Sequence, residues 1–375
     1  MERTKKFVEL FKKDSVLFIS GILAFISCFF VKPDSGYIGY INFRVIAILF
    51  SLMLVVSAYI RIGTFAYFTN KLLEKIRSEK TISLFFVILS FFMSMLLTND
   101  VTLVTLVPFA ISVLKEFNDR RRTMYTLILM TVSANLGSML TPIGNPQNLY
   151  LYTEYHIGLF DFVKLMLPYS AASLILLVIA VLILNKTDKT LDTAVTEKVS
   201  APKPVLLLIY TALFVLCLLT VSNVVNFVIM LAVVASVMLV FDRKAFINID
   251  YGLLFTFLFF FVLIGNLGRI GIIHDTLSHI IDKNVTLTAI LASQFISNVP
   301  AAMLLSAFTA KGPSLLIGTN LGGLGTLIAS MASLITYKFY NKEKKKGEHY
   351  LLAFTVINIV FLVILLILYC GLGRA

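Results

Sequence analysis

The sequence predicts an all-α, polytopic membrane protein whose two halves form an inverted repeat, with two hairpins and two broken helices. Hydrophobic residues make up 59% of the 375 residues, charged residues make up 14%, and the mean hydropathy is +0.93. This composition is typical of chains with many membrane-spanning helices and argues against a soluble enzyme. Two further observations, an interrupted apolar segment and a matching segment later in the chain, predict the repeat.

The interrupted segment is TVSANLGSMLTPIGNPQNLY, residues 131–150. It lies where a continuous membrane helix is expected, yet it contains four amide side chains, two glycines and two prolines. Each internal proline removes a backbone hydrogen bond and costs about 3 kcal/mol. Because hydrocarbon offers no water to the freed backbone groups, such a break persists only when it is buried in protein or lines a cavity.

Three short motifs recur in the same order in the second half. Asn135-Leu136-Gly137 with the closing Thr141 matches Asn320-Leu321-Gly322 with Thr326, Arg61-Ile62-Gly63 matches Arg269-Ile270-Gly271, and Thr98-Asn99-Asp100 matches Ser297-Asn298-Val299. Collinear pairs of this kind predict an internal duplication, which is the sequence mark of many transporter folds.

The first repeat is predicted at residues 15–185, after a basic N-terminal segment at 1–14. Its elements are spans at 16–31 and 45–60, an amphipathic interfacial helix at 61–80, a hairpin at 81–117, a broken helix at 124–152 and a span at 162–184. Positive charge flanks both ends of the hairpin, so we expect it to enter and leave on the cytoplasmic side. The pattern leaves open whether its arms stop midway or cross fully.

The second repeat is predicted at residues 223–375. A polar linker at 186–203 and a connecting transmembrane helix at 204–222 precede it. Its elements are spans at 224–241 and 252–267, a second interfacial helix, a hairpin at 285–310, a broken helix at 313–340 and a last span at 350–371. Because the connecting helix adds one crossing, the second repeat begins on the opposite side of the membrane, and the repeats are inverted.

The net charge of +12 does not predict a nucleic-acid partner. Basic residues cluster in short connections beside apolar spans, which is the pattern that sets membrane orientation. It predicts a multi-pass protein of the cytoplasmic membrane with a cytoplasmic N terminus. The cysteines 28, 217 and 370 lie in three separate apolar spans, so neither a disulfide framework, a metal centre nor a bound cofactor is predicted.

The candidate site is the point near the midplane where both hairpin tips and both interruptions are expected to meet. The first arm of a hairpin ends with unpaired carbonyls, which suit a cation, and the second begins with free N–H groups, which suit an anion. Glycines let backbone approach a ligand, and each proline of the first interruption can start a continuing half-helix. The predicted substrate- and ion-binding residues are Thr98, Asn99, Asp100, Asn135, Gly137, Ser138, Thr141, Pro142, Gly144, Asn145, Asn148, Ser297, Asn298, Pro300, Thr319, Asn320, Gly322, Gly323 and Thr326.

Asp100 is predicted to couple transport to an ion. It is the carboxylate placed well inside an apolar region, where burying the charge costs at least about 2.5 kcal/mol. It can take up a proton, or bind Na+ together with Asn99 and Asn135; the alternative is a helix cap at the hairpin tip. Because the site contains neither Lys nor Arg, a small or weakly charged solute, or an anion assisted by a cation, fits it best.

The order of these motifs resembles the ion transporter superfamily, which includes arsenite permeases, NhaD-type Na+/H+ antiporters and divalent anion:sodium symporters with a citrate-transporter-like domain. The resemblance covers nearly the whole chain, and its most specific parts are TPIGNPQN and the Asn99-Asp100 tip. The nearest branch is that of arsenite permease/NhaD-like anion permeases. Symporters of the superfamily carry Ser-Asn-Thr at both tips, so Val299 implies that a second sodium site is lost. The resemblance also implies a homodimer and movement of a unit that carries the hairpins.

The leading hypothesis is a secondary active transporter of a small inorganic or organic anion, driven by a proton or sodium gradient or by membrane potential. One alternative is a Na+/H+ antiporter in which the Asp100 site carries the transported ion. Another is a non-transporting membrane scaffold or a channel. The sequence lacks H-E-x-x-H, G-x-S-x-G and P-loop motifs, so an enzyme is not predicted. The expected partners are the transported solute and the lipid bilayer.

Overall fold

The computed structural model describes residues 15–74, 76–184, 189–190, 200–342 and 349–373. The predicted segment at 1–14, most of the linker at 186–203 and part of the basic stretch after Lys338 lie outside the described residues. The helices before the linker are α1 Ser15–Phe30, α2 Gly36–Tyr40, α3 Phe43–Arg61, α4 Thr64–Leu73, α5 Glu79–Leu96, α6 Asn99–Lys115, α7 Arg120–Ser138, α8 Pro146–Glu154 and α9 Leu159–Leu184. Those after it are α10 Pro204–Val221, α11 Phe227–Phe241, a 3-10 helix Arg243–Asn248, α12 Tyr251–Gly268, α13 Gly271–Ile281, α14 Val285–Ile296, α15 Asn298–Ser306, α16 Gly312–Leu321, α17 Met331–Lys342 and α18 Tyr350–Gly371.

Six helices of the described part, α3, α5, α9, α10, α12 and α18, are long and apolar enough to cross a membrane. Large apolar side chains on the outside of the fold remain uncovered; Phe29 is 72% exposed and Phe160 is 77% exposed. Such side chains are stable against lipid and would be costly in water. The prediction of an all-helical, polytopic membrane protein is therefore confirmed.

Both predicted interruptions are non-helical stretches, and each of them separates two helices. The first separates α7 from α8, and the second separates α16 from α17. Pro146 occupies the first turn of α8, where its missing N–H costs little, whereas Pro142 lies in the non-helical stretch and starts no helix. The interfacial helix expected at 61–80 is also shorter, because α4 ends at Leu73 and Ser78 already caps α5.

Each hairpin packs against the broken helix of its own half. A Cβ atom at Gly137 of α7 would lie 2.2 Å from the Phe91 carbonyl oxygen of α5, and one at Gly322 would lie 2.6 Å from Ser293 Oγ of α14. Glycine at these positions therefore permits close contact between helices, instead of the approach of a ligand that the sequence led us to expect.

The remaining long helices pair across the two halves. Helix α1 packs against α12, α3 packs against α11 and α10, and α9 packs against α18. Two faces of the molecule differ in charge. We call the region around the cavity lined by Lys115 and Arg120 the basic face, and the region around the cavity lined by the α8–α9 turn with His156 and the α10–α11 turn with Asn223 the opposite side.

Candidate functional site

Each hairpin tip lies against the interruption of its own half. The Asn99 N–H donates to the Gly144 carbonyl oxygen at 3.2 Å, and the Asn298 N–H donates to the Ala329 carbonyl oxygen at 3.0 Å. A second pair of contacts repeats in the same way. Thr141 Oγ1 donates to the Met95 carbonyl oxygen at 2.5 Å, and Thr326 Oγ1 donates to that of Gln294 at 3.1 Å. These hydrogen bonds join the tip of each hairpin to the interruption of the broken helix in the same half.

A network of buried amide side chains joins the two interruptions. Asn99 Nδ2 donates to Asn135 Oδ1 at 2.8 Å, and Asn135 Nδ2 donates to the Gly323 carbonyl oxygen at 3.3 Å. Asn320 Nδ2 donates to Asn148 Oδ1 at 2.7 Å. These donors lie in different halves of the chain, so the first tip and both interruptions form one site.

The second tip closes the site from the other side. A Cβ atom at Gly323 would lie 3.0 Å from Asn298 Nδ2, which places this amide beside the second interruption. Asn298 Oδ1 accepts the Val299 N–H at 3.0 Å, as Asn99 Oδ1 accepts the Asp100 N–H at 3.0 Å. Ser297 has φ 71°, a conformation that costs a non-glycine residue about 1–3 kcal/mol and that clusters at functional sites.

Several buried polar atoms of this region have no hydrogen-bond partner among the described residues. They are Gln147 Nε2 and Oε1, Asn320 Oδ1, Asp100 Oδ1 and Thr102 Oγ1. Gln147 is fully buried, at 0% exposure. Buried polar groups in proteins almost always have partners, so these atoms are available to a solvent molecule, an ion or a ligand.

Other predicted residues have partners that stabilise the break itself. Asn145 Nδ2 donates to Ser138 Oγ at 3.2 Å, and Asn148 Nδ2 donates to the Ser138 and Thr141 carbonyl oxygens at 3.2 and 3.3 Å. These bonds satisfy carbonyls at the end of α7 that the interruption leaves free. A Cβ atom at Gly144 would lie 2.2 Å from the Ser138 carbonyl oxygen, so this glycine permits the tight turn.

The predicted site residues differ in their burial and in their hydrogen-bond partners. Thr319 is buried, but its Oγ1 donates to the Leu315 carbonyl oxygen of its own helix at 2.9 Å, and Thr326 is exposed. Thr98 is half-buried and makes no side-chain cap bond, while Pro142 and Pro300 are buried. Residue-based reasoning did not select Gln147, Ser330 or Gln294. Ser330 Oγ donates to Asn135 Oδ1 at 3.0 Å and occupies the repeat position that matches Asn145, which is the signal that could have identified it.

The sequence of this chain is similar to those of known transporters. Residues 13–315 match the citrate transporter family. The chain belongs to the citrate transporter family. It is similar to an uncharacterized transporter of Methanocaldococcus jannaschii, 35% identical over 326 residues that cover 87% of this chain and 88% of the relative. It is also similar to the inner membrane protein YbiR of Escherichia coli, 28% identical over 309 residues that cover 81% and 82% of the two chains.

A shorter match is to the silicon efflux transporter LSI3 of Oryza sativa subsp. japonica, 30% identical over 139 residues that cover 37% of this chain and 28% of the relative. These matches confirm the resemblance to the ion transporter superfamily. The protein is thus a multi-pass membrane transporter of the citrate transporter family.

The electrostatics of the site in this citrate transporter family member come chiefly from helix ends. Helices α6, α8 and α15 begin here, so their N–H groups and positive dipole ends converge, while α5, α7, α14 and α16 end here with free carbonyls. The His, Cys, Asp and Glu residues of the described ranges form no group that could hold a metal ion. The arrangement can therefore receive a small anion and a small cation side by side.

Proposed function

We propose that this protein is a secondary active transporter of a small inorganic or organic anion, driven by a proton or sodium gradient or by membrane potential. The observation that carries the proposal is the set of unpartnered, buried polar atoms at the meeting point of the hairpin tips and the interruptions. A scaffold has no use for such atoms, because each lowers the stability of the fold. A continuous channel fits less well, since Asn99, Asn135, Asn298 and Asn320 are only 2–3% exposed.

The donor set favours a compact, oxygen-rich solute of low charge. The polar side chains that converge are amides and hydroxyls, which can both donate to and accept from an oxo-acid or its anion. Helix N-termini supply partial positive charge, which suits a solute of low negative charge. A second negative charge on the solute would need a full cation beside it. The rice relative is a silicon efflux transporter, which supports the same class of small oxygen-bearing substrates.

Asp100 is the proposed coupling residue. Its Oδ1 atom is buried without a partner among the described residues, and its backbone N–H is held by Asn99 Oδ1 at 3.0 Å. A proton on the carboxyl group, or a Na+ ion shared with Asn99 and Asn135, would satisfy that oxygen. The unpartnered Asp100 Oδ1 also favours the second candidate function, a Na+/H+ antiporter. In that case the proton or Na+ bound at Asp100 is itself the transported ion.

The inverted repeat remains our proposal for the architecture, and equivalent contacts support it. Asn99 with Gly144 repeats as Asn298 with Ala329, and Thr141 with Met95 repeats as Thr326 with Gln294. Pairing of α1 with α12 and of α3 with α11 is the exchange that two related copies would produce. We further propose that the basic face is cytoplasmic and that the protein forms a homodimer.

Flux measurements in proteoliposomes test the function. We would offer arsenite, silicic acid, sulfate and di- and tricarboxylates under an imposed Na+, pH or voltage gradient. We expect one gradient to drive one solute class, and we expect Asn99→Ala and Asn298→Ala to abolish that flux while membrane insertion is unchanged. The absence of any solute flux under all three gradients would contradict the transport proposal.

Asp100→Asn tests the coupling role separately. We expect this change to remove the dependence of flux on the coupling ion, because an amide neither takes up a proton nor neutralises Na+. The matched control is Asp34→Asn, which changes a carboxylate in the exposed α1–α2 loop, where Arg269 Nη1 donates to Asp34 Oδ2 at 2.6 Å. Coupled flux that is unaltered in Asp100→Asn would exclude Asp100 as the coupling residue.

A further inference from the structure

A column of buried hydroxyl groups extends from the central site towards the basic face, between α7, α17 and α18. We call it the hydroxyl column. Its members are 0–5% exposed, although each bears an O–H group, and they are Thr131, Ser330, Ser333, Thr336, Tyr340 and Tyr350. Ser330 also belongs to the amide network, because it contacts Asn135.

The column begins at the amide network. Ser330 Oγ donates to Asn135 Oδ1 at 3.0 Å, and one turn further from the site the hydroxyl groups of Thr131 and Thr336 share a hydrogen bond at 2.8 Å. Thr131 and Asn135 are four residues apart on α7, so they lie one above the other on one face of the helix. Ser333, Thr336 and Tyr340 follow the same spacing on α17, so the two helices present matching polar faces.

The column ends at a cavity on the basic face. The Tyr350 ring stacks on the Tyr340 ring with centroids 4.6 Å apart, and the Tyr350 hydroxyl lies beside Thr131. Tyr340 and Leu127 also line a cavity of about 210 Å³ whose other walls include Lys115, Asp119 and Arg120. Thr131 Oγ1 donates to the Leu127 carbonyl oxygen at 2.9 Å, so the cavity wall and the column share a helical turn.

Two hydroxyl groups of the column have no hydrogen-bond partner within the described part of the chain. These are Ser333 Oγ and Tyr340 Oη, which lie two turns apart on α17. Burying a hydroxyl without a partner is unfavourable, and water is the partner that proteins normally supply in a polar interior.

At the equivalent positions of the described residues on the opposite side, leucines replace the threonine pair of the column, although Tyr150 and Ser306 share a hydroxyl hydrogen bond there at 2.7 Å. In the register that matches Asn135 with Asn320, the positions of Thr131 and Thr336 are taken by Leu316 and Leu151, both fully buried. Tyr155 matches Tyr340, but its hydroxyl donates to the carbonyl oxygens of Ser306 and Thr309 at 3.3 and 2.8 Å. If these helices only packed against each other, leucines would suffice at the equivalent positions in both halves. The hydroxyl groups in one half therefore indicate a species there that can form hydrogen bonds with them.

We propose that the hydroxyl column is a hydrated path that conducts protons between the basic face and the central site. Water molecules beside Ser333 and Tyr340 would each accept one hydrogen bond and donate another, so a proton enters at one end of the water chain and leaves at the other. Thr131 and Ser330, whose protons go to the Leu127 carbonyl oxygen and to Asn135 Oδ1, only line the path.

The path ends beside Asn135, whose Oδ1 accepts from both Ser330 and Asn99, so water in the central site would have to carry the proton on to Asp100. Among the described residues, Asp250 is the charged group that acts on Asp100, and Lys115, Asp119 and Arg120 are the charged groups at the mouth. That the proton serves transport rests on the proposed function, whereas the hydration does not.

Hydroxyl-radical footprinting of the full chain in lipid nanodiscs tests the path with water alone as the probe. Radicals formed from bound water modify the side chains beside it. We expect modification of Tyr340 and Tyr350 at about ten times the rate of Phe86 and Phe162, which are also buried but have no polar group to bind water. Tyrosine modification as slow as that of the two phenylalanines would overturn the proposal and leave a dry set of interhelical hydrogen bonds.

A matched pair of variants tests whether hydration reaches the depth of the site. Ser333→Cys places a reactive sulfur inside the column. Ser133→Cys places one on the α7 face that packs on α5, where Ser133 is also 0% exposed but its Oγ donates to the Val87 carbonyl oxygen. We expect radical oxidation of the first cysteine only. Equal protection of both would limit water to the cavity and refute the path, whereas a failed flux panel would contradict the transport proposal without affecting this result.

Discussion

At the scale of single residues, two glutamines in the same region have opposite surroundings. Gln147 is fully buried, and neither atom of its amide has a partner among the described residues. Gln294 Nε2 donates to the carbonyl oxygens of Ile290, Gly322 and Leu324 at 2.9–3.1 Å, and its Oε1 accepts the Thr326 N–H at 2.9 Å. One amide is thus available to a ligand, and the other holds the second interruption together.

Replacing each glutamine by methionine separates these roles. Gln147→Met removes an unsatisfied polar group, so we expect the free energy of unfolding to stay unchanged or rise by about 1–3 kcal/mol, while flux is lost. Gln294→Met breaks four bonds and leaves backbone carbonyls unpaired, so we expect a loss of about 1–3 kcal/mol. Thermal unfolding in detergent measures both. A Gln147→Met protein less stable than Gln294→Met would show that Gln147 has a structural partner.

Two glycines give a second prediction at this scale. Gly137→Ala places a methyl group 2.2 Å from the Phe91 carbonyl oxygen, which forces α7 away from α5, and we expect it to destabilise the protein by about 1–3 kcal/mol. The control is Gly268→Ala at the end of α12, where a Cβ atom meets nothing within 4 Å and the change should be neutral or stabilising by about 0.4–1 kcal/mol. Equal melting temperatures for the two variants would mean that α5 and α7 are not tightly packed.

At the scale of elements, a buried ion pair fixes the first hairpin to the first broken helix at the basic face. Arg122 Nη1 of α7 donates to Glu79 Oε2 of α5 at 2.6 Å, with side-chain exposures of 9% and 0%. Arg122 Nε also contacts Asp119 Oδ2 at 3.3 Å, and the Glu79 N–H donates to the Lys189 carbonyl oxygen at 2.9 Å. The start of the hairpin, the start of α7 and the described part of the linker therefore meet at this pair.

Removing one partner of this pair should cost more than removing both. Arg122→Met removes the cation that is hydrogen-bonded to the buried Glu79 carboxylate and leaves only the more distant charge of Lys189 among the cations that act on Glu79 in the described residues. We expect a loss of about 3–5 kcal/mol in the free energy of unfolding. Adding Glu79→Leu to that variant removes the uncompensated charge and should restore most of the loss. Thermal unfolding of the two single variants and the double variant gives the coupling energy. Additive losses would show that the two groups do not interact.

The elements also show how far the sequence alone could predict the site. Asn99, Asn135, Asn298 and Asn320 were predictable, because polar tips and glycine-rich breaks are conspicuous in an apolar chain. The hydroxyl column was not, since Thr131 and Thr336 look like ordinary helix residues until α7 and α17, far apart in sequence, lie side by side. The packing role of Gly137 and Gly322 was missed for the same reason: it depends on the distance between two helices, and sequence periodicity indicates only which face a residue occupies.

At the scale of the whole molecule, the direction of the first broken helix determines which face is cytoplasmic. Asn118 lies just before α7 and His156 just after α8. In the topology that we propose, α7, the interruption and α8 together separate the two residues by a single crossing of the membrane. Both residues are exposed, and both have φ 52°, so cysteine would be equally accessible and equally strained at either position. They form a matched pair of reporters for orientation.

The positive-inside rule predicts that Asn118 faces the cytoplasm, because its neighbours Lys115, Arg120 and Arg121 are basic, and that His156 faces outward. In a background where Cys28, Cys217 and Cys370 are replaced by serine or alanine, a membrane-impermeant maleimide added to intact cells should label His156→Cys and spare Asn118→Cys. Permeabilised cells should show labelling of both. Labelling of Asn118→Cys alone would show that the orientation is the reverse of the one proposed, and that the hydroxyl column opens to the outside. Labelling of both in intact cells would mean that the broken helix does not cross the membrane, and the inverted repeat would then have no basis.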